Sequence, residues 1–406
     1  MIIKTPDILI PKKEYDLTKW AVVACDQFTS EKDYWENLDN ICGDISALRI
    51  IYPEVYLNED EENRIKTINA KMSEYLEKGI FREIKDSYIL VERITGYNHK
   101  RLGLMISIDV EQYDYTPLTA APIKATERTV EERLPVRIRI REDAPLETPH
   151  VMLLMDDVNK EIIEPLYAMR DSLELLYDFE LNSGGGHVRG YRVTDTEDVN
   201  SKLMRLIDKD VLNEKYGVSD NPFLFAVGDG NHSLATAKAC WERIKHSVDD
   251  PENHPARYAL AELVNLYDDD LLFEPIHRVM FNVDKSFIDE LRQVSSGPDK
   301  AYIVYEGERY DFSIPSVKPE AIAVIQDFLD KYLSEHKGAE IDYVHGEEHT
   351  VKVADKAKGA AIIMPTIEKS ELFKFVLTKG VLCRKAFSMG EAEEKRYYLE
   401  CKKIKG

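Results

Sequence analysis

The sequence predicts an α/β fold with mixed sheets and flanking helices, a strand–turn–helix element in its central part, and an extra α+β region towards the C-terminus. Three observations carry this expectation. Short apolar runs of buried-strand character, Trp20–Cys25, Val151–Met155 and Phe223–Val227, alternate with helical patterns. The third run ends in Gly228-Asp229-Gly230-Asn231-His232-Ser233 and passes at once into a helix over Leu234–Lys245. Beyond about residue 284 the alternation restarts. A length of 406 residues suits two to three domains. The expected division is 1–284, an N-terminal and central α/β domain with an anion site, and 285–406, a C-terminal α+β region.

In chain order, Trp20–Cys25 reads as a buried strand and Ser30–Asn40 as a short helix capped by Ser30. Asn58–Lys78 is a longer helix, with Asn58 as cap, acidic residues at its positive end, and Ile65, Ile68, Met72, Tyr75 and Leu76 on one face. Tyr88–Thr95 and Arg101–Val110 are strands joined through Gly96-Tyr97-Asn98. Five of the 17 prolines fall between Pro117 and Pro149, so that stretch is not one long helix. Within it, Val136-Arg137-Ile138-Arg139-Ile140 alternates as a half-buried strand does. Lys160–Phe179 is expected to be a helix and Asn182–His187 a flexible loop. Tyr258–Leu266 is a further apolar segment; a strand at Ala301–Tyr305, a helix at Pro319–Glu335 and apolar Ala360–Pro365 complete the C-terminal region.

Charge and composition exclude several classes. Lys plus Arg is 54 and Asp plus Glu 75, so the net charge is −21. That balance argues against general nucleic-acid binding and against docking on anionic lipid. The five cysteines are scattered without a CxxC pair, which fits reduced thiols in a cytoplasmic protein. No apolar stretch approaches the roughly 20 residues of a membrane span. The partner class that remains is a small molecule; the oligomeric state is left open.

The turn at Gly228 is the best chemical signal. Glycines let the backbone turn sharply, and the first amides of the following helix point outward with the positive end of its dipole, a site suited to phosphate. Asp229 can hold a hydroxyl, a metal or a proton; His232 can donate to phosphate or act as acid–base. The plainer alternative is a strand–helix turn capped by Asp229 and Asn231.

Ala226–Ala237 resembles the D-G-H-H-R block of the domain of unknown function 1015 family. Thr126-Glu127-Arg128-Thr129, Pro275-Ile276-His277-Arg278, Tyr343-Val344-His345-Gly346 and Arg384–Gly390 resemble further blocks of that family, in order. A related turn is found in the wider ParB/sulfiredoxin-like group, which includes free serine kinases. The resemblance implies that Asp229, Gly230 and His232 form a phosphate turn, with Asn231 and Ser233 beside them. One departure matters: the relatives carry Arg after the His, where this chain has Ser233. A hydroxyl does not give the bidentate, permanently charged contact of a guanidinium. Arg128, Arg189 and Arg278 are candidate substitutes, Glu127 a candidate base, and His277 and the loop residue His187 candidate phosphate contacts. The HxxxH spacing of His345 and His349 would suit zinc on a helix, but Gly346 argues against a helix there.

These features lead to an expected phosphoryl-transfer enzyme acting on a polar metabolite such as serine or phosphoserine. Its catalytic residues would be Glu127, Asp229 and His232, and its cofactor Mg²⁺ with ATP or ADP. No sequence signal points to zinc, haem or flavin. The alternatives are a phosphoserine-type phosphatase that needs no nucleotide and a non-enzymatic metabolite- or nucleotide-binding regulatory protein.

Overall fold

The computed structural model describes residues 1–57 and 59–405, so the expected Asn58 cap lies outside the described residues. The chain is a mixed α/β protein whose contacts divide it into two compact units. The first comprises Met1–Leu271 with Glu391–Gly406, the second Leu272–Gly390. This partition differs from a 284/285 boundary at both ends. Strand Glu274–Phe281 is an inner strand of the second unit's sheet, and the C-terminal segment pairs back onto Val22–Val23 and Leu146–Glu147 of the first.

The first unit is built on ten strands: β1 (Ile3–Lys4), β2 (Tyr88–Ile94), β3 (Lys100–Asp109), β4 (Tyr113–Asp114), β5 (Ile123–Ala125), β6 (Met152–Met155), β7 (Glu174–Leu181), β8 (Gly186–Val193), β9 (Phe225–Asp229) and β10 (Tyr258–Asn265). Their order is β7-β8-β2-β3-β10-β6-β9-β5-β4, with β1 added on β3. β10 is parallel to β6, and β9 to β5, while the β7-β8-β2-β3 side is antiparallel. Every residue of β10 is buried, as a central strand covered on both faces requires.

That central strand nonetheless carries a carboxylate. Glu262 is 1% exposed, and its side chain occupies the space above Gly103, where a Cβ would lie 2.2 Å from Glu262 Oε1. Arg396 Nη1 donates to Glu262 Oε2 at 2.5 Å, and Arg396 also pairs with Glu400, which accepts from the Tyr177 hydroxyl. Beside them Arg93 donates to the carbonyls of Glu393 (2.6 Å), Lys395 (2.5 Å) and Gly185 (3.0 Å), and Arg101 to that of Glu394 (2.9 Å). Burial works against ionised Glu262, yet Arg396 and Arg101 hold its carboxyl below the ordinary value. Burial, then Arg101, push Arg93 down to about 9.

The structure corrects four local expectations. Val136–Ile140 is helical, within Leu134–Glu142: Pro135 sits in the first turn, and Leu134 and Ile138, four apart, are the buried pair. Lys160–Phe179 holds only a short helix, Ile163–Ala168, before β7 begins at Glu174, where pairing with β8 fixes the chain as strand. Of Asn182–His187, Gly186 and His187 already belong to β8, and Asn182–Gly185 is the tight connection of that hairpin, pinned by Asn182 Nδ2 donating to the Thr18 and Ala21 carbonyls at 2.7 Å each. The helix expected to start at Ser30 runs from Lys32 to Cys42 without a side-chain cap.

The second unit has six strands: β11 (Glu274–Phe281), β12 (Asp299–Tyr305), β13 (Glu308–Ile314), β14 (Glu340–His345), β15 (Ala360–Ile363) and β16 (Phe387–Ser388). The order is β13-β12-β15-β11-β14, with β16 on the start of β11, and every pair is antiparallel. β11 carries His277 and Arg278, both buried. His277 Nδ1 accepts from the Met364 amide at 3.1 Å, and Arg278 donates to Gln326 and Ile276 with its guanidinium 4.9 Å from the Tyr343 ring centroid. Burial pushes the His277 imidazole down from 6.5 to about 4.

Three outcomes are expected. Arg396→Ala leaves Glu262 and Glu400 buried without their cation and destabilises the fold by about 3–5 kcal/mol in denaturant titrations. Lys403→Ala, which breaks only the exposed pair with Glu83, changes stability by less than about 1 kcal/mol. For His277 the folded state favours the neutral ring, so its stabilising contribution is present above pH 6.5 and is lost as pH falls towards 4. The drop in urea midpoint between about pH 7 and about pH 5 should therefore be smaller in His277→Asn, which keeps an acceptor for the Met364 amide.

Candidate functional site

β9 delivers the turn, and the helix Asn231–Ile244 leaves from it. Gly230 is the helix cap, in the left-handed region at φ 79°, and a Cβ there would lie 2.9 Å from Val151 Cα. Only glycine meets both conditions. No side chain caps this 14-residue helix, so its first amides face outward without an intrahelical partner. Asp229 Oδ1 accepts from the Gly230 amide at 2.8 Å, and Asp229 Oδ2 lies 3.4 Å from Lys395 Nζ. Asn231 Oδ1 is buried with no hydrogen-bond partner among the described residues.

The segment after β5 runs alongside. β5 is in register with β9 up to Ala125 opposite Val227, and Thr126 Oγ1 donates to the Val227 carbonyl at 2.7 Å. Glu127, half-buried, and Arg128, exposed, follow directly. The Val130 amide then donates to His232 Nε2 at 3.1 Å, which makes Nε2 an acceptor and leaves the ring proton on Nδ1. Burial, followed by Arg137 and Arg133, lowers the His232 pKa to about 4. His232 is thus a neutral ring offering one N–H, with its lone pair already engaged.

The turn also gathers residues that the motif reading did not single out. Ser233 Oγ lies 3.3 Å from His150 Nε2, and His150 Nδ1 lies 2.7 Å from the Tyr398 hydroxyl. Asp26 Oδ2 is 3.8 Å from the same Nε2. Burial opposes its charge, but His150, Gln27 and Lys395 hold the Asp26 carboxyl below the ordinary value. Glu54, paired with Arg137, has its carboxyl raised, burial outweighing that cation. Where the sequence offers Ser233 instead of an arginine, the structure supplies Arg137 and Arg133 from the Leu134–Glu142 helix and its approach, and Lys395 from the C-terminal segment.

Two other candidates lie elsewhere in the first unit. His187 and Arg189 are on β8, five strands from β9, roughly 24 Å at the usual strand spacing. There His187 pairs with Asp178 (2.5 Å) and Glu180 (2.7 Å), and Arg189 with Asp178 (3.1 Å) and Glu92 (3.5 Å). His277 and Arg278 belong to the second unit, as do His345, at the end of β14, and His349, on the Glu347–Ala357 helix.

The signals for the missed residues were present but local. Cys25-Asp26 and His150 stand directly beside two of the apolar runs, where a strand end places a polar side chain at the rim of a sheet. Lys395 and Tyr398 had no such signal, since the pairing of Tyr397–Tyr398 with Val22–Val23 joins positions more than 370 residues apart.

Comparison with known proteins gives the following. Residues 9–367 match the family described as a protein of unknown function (DUF1015). No functionally curated protein is a significant match. A free serine kinase in complex with AMP is 14% identical, with a TM-score of 0.37, over 72% of this chain and 92% of that one. A mutant free serine kinase in complex with ADP is 13% identical, with a TM-score of 0.38, over 72% and 94%. A conserved hypothetical protein from Pyrococcus furiosus is 13% identical, with a TM-score of 0.33, over 72% and 95%. These structural likenesses are too distant to carry an argument about activity. The family match spans most of the chain, and the chain belongs to the DUF1015 family of proteins of unknown function.

Proposed function

We propose that the first unit is a small-molecule phosphoryl-transfer enzyme that holds a phosphate on the amides of Asn231–Ser233. The observation that carries this reading is an uncapped 14-residue helix N-terminus set among Lys395, Arg137 and Arg133. Its outward amides, the helix dipole and three side-chain cations all favour an anion at the same place. The buried, unpartnered Asn231 Oδ1 points to a further polar contact at the helix start. The resemblance of the turn to that of free serine kinases favours serine or phosphoserine as the polar metabolite.

Phosphoryl transfer is mainly positioning and charge neutralisation, and the residues divide along those lines. Lys395, Arg137 and the amides neutralise; Asp229, or Glu127 on the neighbouring segment, orients or deprotonates the acceptor hydroxyl. His232 donates Nδ1–H. At this turn no three metal-ligating side chains converge among the described residues. A magnesium ion brought in with ATP or ADP would be held chiefly by the nucleotide phosphates, with Asp229 or Asp26 offering carboxylate oxygen.

Calorimetry with ATP or ADP plus Mg²⁺ and serine, and with phosphoserine alone, tests the reading. Binding is expected, and Lys395→Ala should weaken it by about 10-fold or more, as loss of a charge-assisted phosphate contact does. If neither nucleotide nor phosphoserine binds, the proposal fails. Phosphate release from phosphoserine without nucleotide would make the enzyme a phosphatase, and binding without any turnover would make the protein a metabolite sensor.

A further inference from the structure

The hydrogen-bond chain at the turn runs Ser233 Oγ, His150 Nε2, His150 Nδ1, Tyr398 hydroxyl, Cys25 Sγ. Its donors and acceptors set the imidazole tautomer. The Tyr398 O–H donates to Cys25 Sγ at 3.0 Å, and the Tyr398 oxygen accepts from the Cys25 amide at 3.3 Å. Burial raises both the Cys25 thiol and the Tyr398 phenol, so each keeps its proton and the chain stays neutral at that end. The Tyr398 hydrogen being committed, His150 Nδ1 carries the ring proton and donates to the Tyr398 oxygen at 2.7 Å. Nε2 is left with a lone pair directed to Ser233 Oγ, 3.3 Å away. A nucleophile, a base and an orienting group behind the base are the elements of an activated serine, with distances that are often loose before substrate binds.

Two features complete the arrangement. Asp26 Oδ2, 3.8 Å from Nε2, is placed to stabilise the imidazolium formed when the ring takes a proton. Ser233 is the third residue of the uncapped helix, so its hydroxyl lies beside the outward amides on which a phosphate would rest. His150 is buried, which keeps competing water from the base, while Ser233 is only half-buried.

We propose that Ser233 is a covalent nucleophile with His150 as its general base, so that phosphoryl transfer proceeds in two steps through a phosphorylated Ser233. This rests on the phosphoryl-transfer reading of the site. In the first step the Ser233 Oγ–P bond forms and the bond from phosphorus to the donor oxygen breaks. The Ser233 proton passes to His150 Nε2 and on to the leaving oxygen. In the second step water or a metabolite hydroxyl attacks the phosphorus and its proton goes to His150. The Oγ–P bond breaks, and the proton returns to Ser233 Oγ. No redox partner is involved. Tyr398 is a positioning residue that acts through His150.

The test is to incubate the full chain with ATP and Mg²⁺, and separately with phosphoserine, quench in acid and map phosphate by peptide mass. A phosphoserine survives acid, whereas a phosphohistidine or an aspartyl phosphate does not. The expected result is an acid-stable phosphate on Ser233, absent in Ser233→Ala and formed about 100-fold or more slowly in His150→Ala. Tyr398→Phe retains the ring but removes the acceptor for Nδ1–H, so it should shift the pH dependence of labelling while the far-ultraviolet circular dichroism stays unchanged. Binding by calorimetry with turnover but no label on Ser233 overturns this inference and leaves the proposed function standing, as does a Ser233→Ala chain that turns over at the wild-type rate. A label found only as acid-labile phosphate also overturns it. Absence of any nucleotide or phosphoserine binding overturns the proposed function itself.

Discussion

The first unit depends on one interaction, the Arg396 guanidinium held between the carboxylates of Glu262 and Glu400. Glu262 belongs to the strand at the middle of the sheet and Glu400 to a segment that returns after the second unit. Neither carboxylate reaches solvent, so each must be met inside the protein or its desolvation is left uncompensated. Pairing both with one arginine ties the last residues to the sheet. Arg93 and Arg101 extend the tie by donating to the carbonyls of Gly185 and of Glu393–Lys395. These acceptors are backbone carbonyls of the hairpin turn at Gly185 and of the short 3-10 turn Ala392–Glu394 and the residue after it, which buried arginines satisfy here.

The same tie builds the candidate site. Lys395, which pairs with Asp229, directly precedes Arg396, and Tyr398, which orients His150, lies two residues beyond. The segment therefore reaches the sheet core and the Gly230 turn within a few residues. An ionic cluster in an apolar core adds little net stability over well-packed hydrophobic residues, but breaking it is expensive. Here its geometric role is clear: it sets the positions of Lys395 and Tyr398, which no local structure would hold. Gly103 is part of that register, because the carboxylate of Glu262 fills the volume that any side chain at position 103 would take.

Much of this fold was legible in the sequence wherever short-range pattern decides structure. The runs at Val151–Met155 and Phe223–Val227, and the helix after Gly230, follow from apolar clustering and a glycine turn, and the structure has β6, β9 and the Asn231–Ile244 helix there. The reading failed where two periods compete. In Leu134–Glu142 the alternation of Val136, Ile138 and Ile140 suggests a strand, but Ile138 is also four residues from Leu134, and it is that pair which is buried. In β7 the helical reading of Lys160–Phe179 lost to pairing with β8, a tertiary preference that a single segment does not display. At the site, the turn and its glycine were readable because they are contiguous. His150, Asp26, Lys395 and Tyr398 were not, because they come from three distant stretches of chain and meet only after the C-terminal segment has docked.

A net charge of −21 on its own disfavours a phosphate ligand. Range resolves the conflict. Exposed acidic residues repel an anion over a distance that salt limits to about 8–10 Å, whereas the half-buried turn acts at contact distance, where screening is weak. Carboxylates at the turn have cationic neighbours: Asp229 has Lys395, Glu54 has Arg137, and Asp26 also feels Lys395. The field an incoming phosphate meets is thus set by the helix amides and by those cations, with the acidic partners positioning them. Such a pairing also means that a bound phosphate competes with Asp229 for Lys395. On the proposed phosphoryl-transfer reading, binding would loosen the Asp229 carboxylate as an acceptor hydroxyl needs orienting, which would couple occupancy of the turn to readiness for the transfer step.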